Sequence, residues 1–436
     1  MILLKIKEIE IYQNFFRNLK KHRIKLFLLT ILMIFEGFTS SISIAMLIPL
    51  SEGILNNNSE NTWLERFLPT QLIDTPFKLF LIFGFILFLK ALISFLRFLF
   101  VMIFSENLRK NWQIKLATKN LLQPYSEVIK RPRGELIENT VKLTDIGAMF
   151  ILKWLSYTTR LIIVASLFLT VTIFNPIFSL VVIIILSLLI IFFGKNYFNW
   201  SLSLGEKKVK YGQRLMSQLT AIISALKDIK VLRAEKYKLK STIDLINYIR
   251  NIRVVQKIAT QFPIHLLEFS LAISLILFAF ILFIYNLNLS TILPTLIFLI
   301  GSLFVLVNNF VTASTERFKT LGSYYAYKFI IEELNKAYSE EDDTKINDIP
   351  NKNSDLIFSN VSFNYSGNTN NLISNINLKI KAGTIIGLFG VSGSGKTTLL
   401  DLITKLHKPS KGKILFSDID INNFSNSDWR NKISYV

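Results

Sequence analysis

Cysteine is absent from this chain of 436 residues, and histidine occurs only three times, at His22, His265 and His407. Without cysteine the chain has no disulfides, no thiolate metal ligands and no cysteine nucleophile. The three histidines lie far apart among apolar or basic neighbours, so a histidine metal cluster is not expected. These scarcities exclude thiol chemistry and argue against a zinc site.

Charged side chains are also few, at 18% of the sequence against 51% hydrophobic residues. A soluble domain typically carries about 25% charged residues. We therefore expect much of the chain to lie in lipid, which excludes a conventional cytosolic enzyme.

Acidic residues are outnumbered, 30 against 50 lysines and arginines, which gives a formal net charge of +20. In a soluble protein this excess would suggest nucleic-acid binding. In a multi-span membrane protein, however, cytoplasmic loops accumulate lysine and arginine because these residues fix the topology. We therefore expect membrane lipids as neighbours, and no nucleic acid.

Six apolar stretches dominate the first three quarters of the chain, and each reaches about the 20 residues needed to cross a bilayer. The first 25 residues are charged and amphipathic and lack the order of a secretory signal. They predict an interfacial helix on the cytoplasmic face. The predicted spans are 26–50, 77–104, 149–174, 177–198, 262–285 and 291–311.

Basic residues orient these spans. They concentrate before the first span and in the loops 105–148 and 200–261, whereas the connections 175–176 and 286–290 carry no charge. Basic loops stay in the cytoplasm, so the N-terminus and the C-terminal region are predicted inside. The expected location is a bacterial inner (plasma) membrane. The two basic loops show helical spacing and either reach a cytoplasmic domain or form a bundle of their own.

Beyond Val311 the helical pattern continues, and a polar linker then leads to short alternating runs typical of strands. The runs lie at 355–363, 376–384 and 412–417 and predict a small α/β domain. The expected division is an interfacial helix over 1–25, a transmembrane domain over 26–320, a helical extension and linker over 321–353, and the α/β domain over 354–436.

The chemistry is carried by a G-x-x-x-x-G-K-[ST] motif, which an apolar strand TIIGLF precedes and a helix KTTLLDLITKL follows. Glycines let successive N–H groups point at phosphate oxygens, and the helix N-terminus adds its positive dipole. Lys396 would bridge the β- and γ-phosphates, and the Thr397 hydroxyl would hold Mg²⁺. The alternative is a glycine-rich turn without a nucleotide. The predicted nucleotide-binding residues are Gly390, Val391, Ser392, Gly393, Ser394, Gly395, Lys396, Thr397 and Thr398.

Tyr365 follows a predicted strand about 25 residues before the motif. An aromatic face is a suitable platform for the adenine of a nucleotide whose phosphates sit on the loop. A tyrosine after a strand is otherwise most often simply packed, and the spacing favours the platform.

The segments GVSGSGKTTLLDLITKL and KPSKGKILF, then Trp429-Arg430 and a final ISYV, resemble in order the nucleotide-binding domain of ATP-binding cassette (ABC) exporters. The resemblance implies a half-transporter: an α-helical membrane domain of six helices followed by an α/β P-loop NTPase domain. It implies ATP and Mg²⁺ as cofactors and Tyr365 stacked on adenine. It also implies a homodimer, or a heterodimer with a similar half-transporter. Short helices that dock on the ATPase domain are expected at Lys130–Glu135 and Ala225–Glu235.

The resemblance stops at Val436, where the family continues with a glutamine-bearing loop, a signature sequence, a catalytic glutamate and a switch histidine. His407 lies in the connection after the P-loop helix and cannot be that histidine. A truncated reading frame, completion by a second polypeptide and a deliberately shortened chain remain open. The catalytic residues are therefore unassigned.

Ionisable residues within the predicted spans suggest a substrate cavity. Lys90 and Arg97 are seven residues apart and share a helix face with Ser94. Such residues usually face the bundle interior or a wet cavity. The alternatives are structural pairing, for example Glu36 with a basic residue, and cytoplasmic helix extensions. The six are Glu36, Lys90, Arg97, Lys153, Arg160 and Glu268, and the cavity candidates are Glu36, Lys90, Arg97 and Arg160.

The sequence thus predicts ATP-driven export or flipping of an amphiphile, with an anionic lipid, glycolipid or lipid-linked saccharide favoured. Two alternatives remain. The chain is a non-catalytic or degenerate membrane protein that retains ATP binding without turnover, or it belongs to a peptide or drug exporter.

Overall fold

A computed structural model describes residues 20–56, 75–176, 179, 195–285, 289–336, 349, 354–365 and 372–436. Most of the predicted interfacial helix, the first outer loop and the linker therefore lie outside the described residues, as does most of the span 177–198. Contacts divide the chain into two compact units. The first combines Met1–Ile114 with Ile137–Asn335, and the second combines Lys115–Leu136 with Lys336–Val436.

The first unit is helical throughout its described part. A single turn of 3₁₀ helix, Lys20–His22, leads into it, and a π-helical turn, Asn139–Leu143, interrupts it. The helices, three of which (α3 to α5) lie partly or wholly in the second unit, are α1 Arg23–Ala45, α2 Leu47–Asn56, α3 Pro76–Leu122, α4 Tyr125–Val128, α5 Arg133–Glu138, α6 Thr144–Phe174, α7 Lys195–Ser224, α8 Leu226–Val231, α9 Glu235–Tyr285 and α10 Leu289–Asn335.

Four helical segments among the described residues are long and apolar enough to cross a membrane. They coincide with the first, second, third and sixth predicted spans. The fifth predicted span, 262–285, is the last part of the continuous helix α9. The four segments are Arg23–Glu52, Pro76–Leu122, Arg133–Phe174 and Leu296–Asn335.

Several helices are much longer than a membrane span. The 47 residues of α3 extend about 70 Å, more than twice the hydrocarbon thickness. The predicted helical character of both inner loops is confirmed. The second short helix, α8, lies inside the expected segment Ala225–Glu235. The first expected segment, Lys130–Glu135, begins in the turn after α4 and ends in the first residues of α5, so α4 itself precedes it.

Aromatic and small residues hold the helices of the first unit together. The rings of Phe150 on α6 and Tyr327 on α10 stack with centroids 4.6 Å apart. A Cβ at Gly147 would lie 2.5 Å from the Cδ1 of Ile330, so the glycine allows this approach. Ser166 donates its hydroxyl to the carbonyl of Gly37 at 3.0 Å, which joins α6 to α1.

The second unit contains a four-stranded antiparallel sheet in the order β2-β1-β3-β4. The three predicted strands are confirmed as β1, β2 and β3, and the predicted helix after the motif as α11. Phe358 at the centre of β1 lies opposite Leu378 and Ile414 and is buried. The elements are β1 Leu356–Phe363, β2 Ile373–Ile380, α11 Lys396–Ile403, β3 Lys411–Phe416, β4 Ile419–Asp420 and α12 Asn426–Asn431.

The predicted strand TIIGLF, residues 384–389, is wrong for the described chain. This segment has no ladder partner among the described strands, and the side chains of Ile385 and Phe389 are fully exposed. A run that is apolar on both faces is typical of a central strand, which forms only between two neighbours. The described sheet supplies neither neighbour.

Candidate functional site

The motif residues form a turn that leads into α11. Gly393 and Gly395 have φ of 84° and 89°, the left-handed region that favours glycine, and Gly395 is the N-cap of the helix. The first N–H groups of a helix have no partner within it and carry a partial positive charge. The turn therefore offers backbone donors to an anion.

Lys396 bends back over this turn. Its Nζ donates to the carbonyl oxygens of Gly390 and Val391 at 2.8 and 2.9 Å. The ammonium is thereby held at the turn, where phosphate oxygens can replace the two carbonyls.

The two threonines that follow differ in environment. Thr398 is buried, whereas Thr397 is exposed and its hydroxyl bonds no described residue. A free hydroxyl oxygen is a ligand type that Mg²⁺ accepts beside phosphate oxygens. The donors, the cation and the hydroxyl together fit a magnesium nucleotide.

Tyr365 is fixed beside the motif at three points. Its hydroxyl lies 3.1 Å from the Oγ1 of Thr398, within hydrogen-bonding distance. The rings of Phe363 and His407 stand nearly perpendicular to its own, with centroids 5.1 and 5.3 Å away. The structure therefore places the proposed base platform against the helix that carries Lys396.

His407 is a residue for which the sequence suggested no role. The residue is 5% exposed, and its ring contacts Tyr365, Phe363 and also Tyr125, the first residue of α4, with a centroid distance of 5.8 Å to the Tyr125 ring. Burial lowers the pKa of its imidazole, and the nearby Asp401 carboxylate opposes this shift. The buried ring is therefore favoured in its neutral form.

The end of α11 determines where His407 lies. Lys405 adopts a left-handed conformation with φ of 57°, and the N–H of Leu406 donates to the carbonyl of Asp401 at 2.9 Å. This is the Schellman arrangement, in which glycine usually takes the left-handed position. Lys405 is buried there and donates its Nζ to the carbonyl of Phe424 at 2.8 Å.

Trp429 and Arg430, on α12, cap the same helix end. The indole N–H of Trp429 donates to the carbonyl of Ile403 at 2.7 Å. The guanidinium of Arg430 donates to the carbonyls of Thr404 and Lys405 at 3.2 and 3.0 Å. The final carbonyls of a helix have no partner within it, so these side chains replace water at the end of α11.

In the membrane unit, two of the four cavity candidates form an ion pair. The guanidinium of Arg97 on α3 bonds both carboxylate oxygens of Glu36 on α1. Both side chains are buried. The pairing of Glu36 with a basic residue, one of the two alternatives for these charges, is therefore present.

The other two candidates carry charge that Glu36 does not neutralise. Arg160 donates to the Oδ1 of Asn309 at 2.8 Å, and Lys90 is half-buried within electrostatic range of Glu36 and Arg160. Neither forms an ion pair among the described residues. The cluster thus contains three cations and the Glu36 carboxylate, and the carboxylate of Glu316 lies within electrostatic range of Arg160.

The remaining charges of the predicted spans are paired elsewhere. Glu316 on α10 forms ion pairs with Lys153 and Lys319, each at 3.0 Å. Glu268 lies 3.2 Å from the Nδ1 of His265, on an exposed face of α9. We therefore restrict the candidate cavity to the cluster around Lys90.

Two family profiles match the chain. One, the ABC transporter transmembrane region, matches residues 26–311, and the other, described as ABC transporter, matches residues 373–436. The chain belongs to the ABC transporter family. It is an integral membrane protein of this family, with a helical transmembrane domain of the exporter type followed by part of a nucleotide-binding domain.

Curated members of the family are similar to a short part of the chain. The chain is 37% identical over 82 residues to an ATP-dependent lipid A-core flippase of Wigglesworthia glossinidia brevipalpis, and 42% identical over 82 residues to the flippase of that name in Salmonella typhimurium. It is 39% identical over 97 residues to ATP-dependent lipid A-core flippase 2 of Colwellia psychrerythraea. These matches span 19–22% of the chain and 14–17% of the relatives' own length.

The fold of most of the chain has a solved counterpart in the family. A bacterial Atm1-family ABC exporter with ATP bound superposes with a TM-score of 0.66 over 94% of this chain and 70% of that one. The sequence identity is 14%, so this likeness shows the fold alone.

Proposed function

We propose that this chain is a subunit of an ATP-driven transporter that flips an anionic amphiphile across the membrane. The observation that carries the proposal is the joint presence of a phosphate-binding motif and a net positive cluster between the spans. An anionic lipid, glycolipid or lipid-linked saccharide headgroup complements that cluster. The names of the similar flippases support the same class of substrate.

The nucleotide site consists of the residues from Gly390 to Thr398 together with Tyr365. Backbone N–H groups of the turn and the Nζ of Lys396 would bind the phosphates, and the hydroxyl of Thr397 would hold Mg²⁺. The ring of Tyr365 would carry the adenine. Bound Mg²⁺ would neutralise charge on the phosphates.

The transport unit is proposed to be a dimer in a bacterial inner membrane, with the nucleotide-binding part in the cytoplasm. One set of spans leaves a translocation path incomplete, so two copies, or one copy and a similar half-transporter, are required. Cross-linking in nanodiscs tests this. Only monomer at high protein concentration would contradict it.

The nucleotide part of the proposal is tested by MgATP binding to the full chain in nanodiscs. We expect saturable binding that Lys396→Ala weakens at least tenfold, because the phosphates lose their only motif cation. Unchanged binding in this variant would show that the motif is not the site. Steady hydrolysis is measured in parallel, since binding without turnover is the outcome expected for a non-catalytic family member.

The cluster is tested by lipid binding, counted by native mass spectrometry with phosphatidylglycerol or phosphatidylcholine. Lys90→Glu is expected to abolish the preference for the anionic lipid, since it removes a cation that has no ion-pair partner among the described residues. Lys153→Gln is the matched control because Glu316 keeps its second partner, Lys319. An unchanged preference in Lys90→Glu would exclude an anionic cargo and favour a peptide or drug.

A further inference from the structure

Three rings of the second unit form a continuous chain from the nucleotide site to the loop that joins two membrane helices. Tyr365 contacts His407 at a centroid distance of 5.3 Å, and His407 contacts Tyr125 at 5.8 Å. Tyr365 is the proposed base platform, whereas Tyr125 begins α4, directly after the long helix α3. His407 is the ring shared by both contacts.

A second contact in this unit holds the end of α3, which lies just before Tyr125. The Nζ of Lys119, near the end of α3, donates to the carbonyl of Lys336 at 3.3 Å. Tyr125 itself is held at the N-terminus of α4, where the N–H of Glu127 donates to the carbonyl of Pro124 at 2.9 Å. The position of the Tyr125 ring therefore depends on how the end of α3 lies.

The packing of His407 does not depend on its polar atoms. The Nε2 is buried and has no hydrogen-bond partner among the described residues. A buried polar atom without a partner is unfavourable, so packing and not hydrogen bonding explains the ring at this place. A phenyl ring should therefore substitute for the imidazole, whereas an aliphatic side chain should not.

We propose that His407 is a positioning residue that orients the Tyr365 ring for the base and links this platform to Tyr125. Binding of the base and docking of α4 are then energetically coupled. Perpendicular ring pairs at such distances are directional, so the loss of one ring frees the orientation of the next. This inference rests on the proposed nucleotide site.

The experiment compares two probes on the full chain in nanodiscs. MgATP contains the base and the phosphates, whereas magnesium tripolyphosphate contains only the phosphates. His407→Leu is expected to weaken MgATP binding about three- to tenfold and to change tripolyphosphate binding less than twofold. His407→Phe, the matched aromatic variant, is expected to bind both like the wild type. A merely structural role would lower both affinities together.

Tyr125 tests the second contact. Tyr125→Ala is expected to weaken MgATP about two- to fivefold without affecting tripolyphosphate, and Tyr125→Phe to have no effect. Hydrogen exchange provides the reciprocal measurement: MgATP should slow the amides of residues 119–128, and His407→Leu should abolish this protection.

The outcomes distinguish a failure of the role of His407 from a failure of the proposed nucleotide site. If wild type binds both probes but His407→Leu weakens neither, or both equally, His407 does not position the platform. If only Tyr125→Ala lacks an effect, the link to α4 is wrong. If wild type binds neither probe, or Lys396→Ala leaves both unchanged, the nucleotide site itself is wrong and the inference fails with it.

Discussion

Arg97 and Glu36 form a buried ion pair that joins α3 to α1 within the membrane unit. The two charges neutralise each other, so neither is free to define a cargo. Lys90 and Arg160 remain as the cations that a headgroup would meet. We therefore propose that the pair contributes to stability and that Lys90 and Arg160 determine the headgroup specificity of the cluster.

Removal of one partner of this pair should destabilise the protein strongly. Glu36→Gln leaves the guanidinium of Arg97 buried without its counter-charge, and such a loss typically costs about 3–5 kcal/mol. The double variant Glu36→Leu with Arg97→Met removes both charges and should be more stable than the single variant. Thermal unfolding in detergent measures the relative stability of the wild type, the single variant and the double variant. A single variant as stable as wild type would contradict the prediction.

Gly205 and Gly322 allow α7 and α10 to approach closely in the membrane unit. A Cβ at Gly205 on α7 would lie 2.3 Å from the carbonyl oxygen of Gly322 on α10. Ser201 donates to the carbonyl of Phe318 at 2.6 Å one turn earlier, which fixes this crossing. Gly205→Ala must separate the helices and should destabilise the protein by about 1–3 kcal/mol.

Gly84 is the matched control for this substitution, because a Cβ there meets nothing within 4 Å. Alanine also favours a helix more than glycine does. Gly84→Ala should therefore leave the unfolding temperature unchanged or raise it. Equal destabilisation by the two alanines would show that the crossing at Gly205 is not tight.

Local patterns predicted most of the elements. Hydropathy located the described spans, and alternation located β1, β2 and β3, because both patterns reflect burial of one face by neighbouring segments. The segment 384–389 has the same kind of pattern and yet forms no strand. A ladder requires partners from other parts of the chain, and an apolar run does not reveal whether they are present.

Contacts between side chains that are far apart in the sequence were harder to predict. His407 and Trp429 meet their partners through contacts between distant elements, which have no local spacing. The left-handed Lys405 also lacks the glycine that usually marks such a helix end. The Lys396 motif, by contrast, was predictable because one turn and one helix provide all of its donors.

The side chains of Trp429 and Arg430 that cap the end of α11 should contribute measurably to the stability of the second unit. Trp429→Phe keeps the stacking on Phe424 but leaves the carbonyl of Ile403 without its donor, at a cost of about 1–2 kcal/mol. Arg430→Met keeps an apolar stem and loses bonds to two further carbonyls. Hydrogen exchange of the α11 amides should quicken in both variants. The exposed Lys408→Met is the control, and equal exchange in all three would exclude the cap.

The stability of the second unit should depend on the protonation of His407. Burial lowers the pKa of this imidazole in the folded chain, while in the unfolded chain it stays near 6.5. As the pH falls below about 6.5, the unfolded state binds more protons than the folded state, so protonation favours unfolding. The stability should therefore be constant above about pH 7 and fall as the pH decreases through 6.5 towards the lowered pKa.

The groups around the ring agree with this direction. The rings of Tyr125 and Tyr365 pack against the imidazole, and the Asp401 carboxylate only partly offsets the effect of burial on the pKa of His407. The pKa of Asp355 is lowered by the N–H of Ala382 and by Lys379, so its contribution is lost only at more acidic pH, below about 4. Hydrogen exchange of the α11 amides between pH 7.5 and 5.5 measures how steeply the stability of the second unit depends on pH. His407→Phe should remove it, and a slope that survives in this variant would assign the titration to another group.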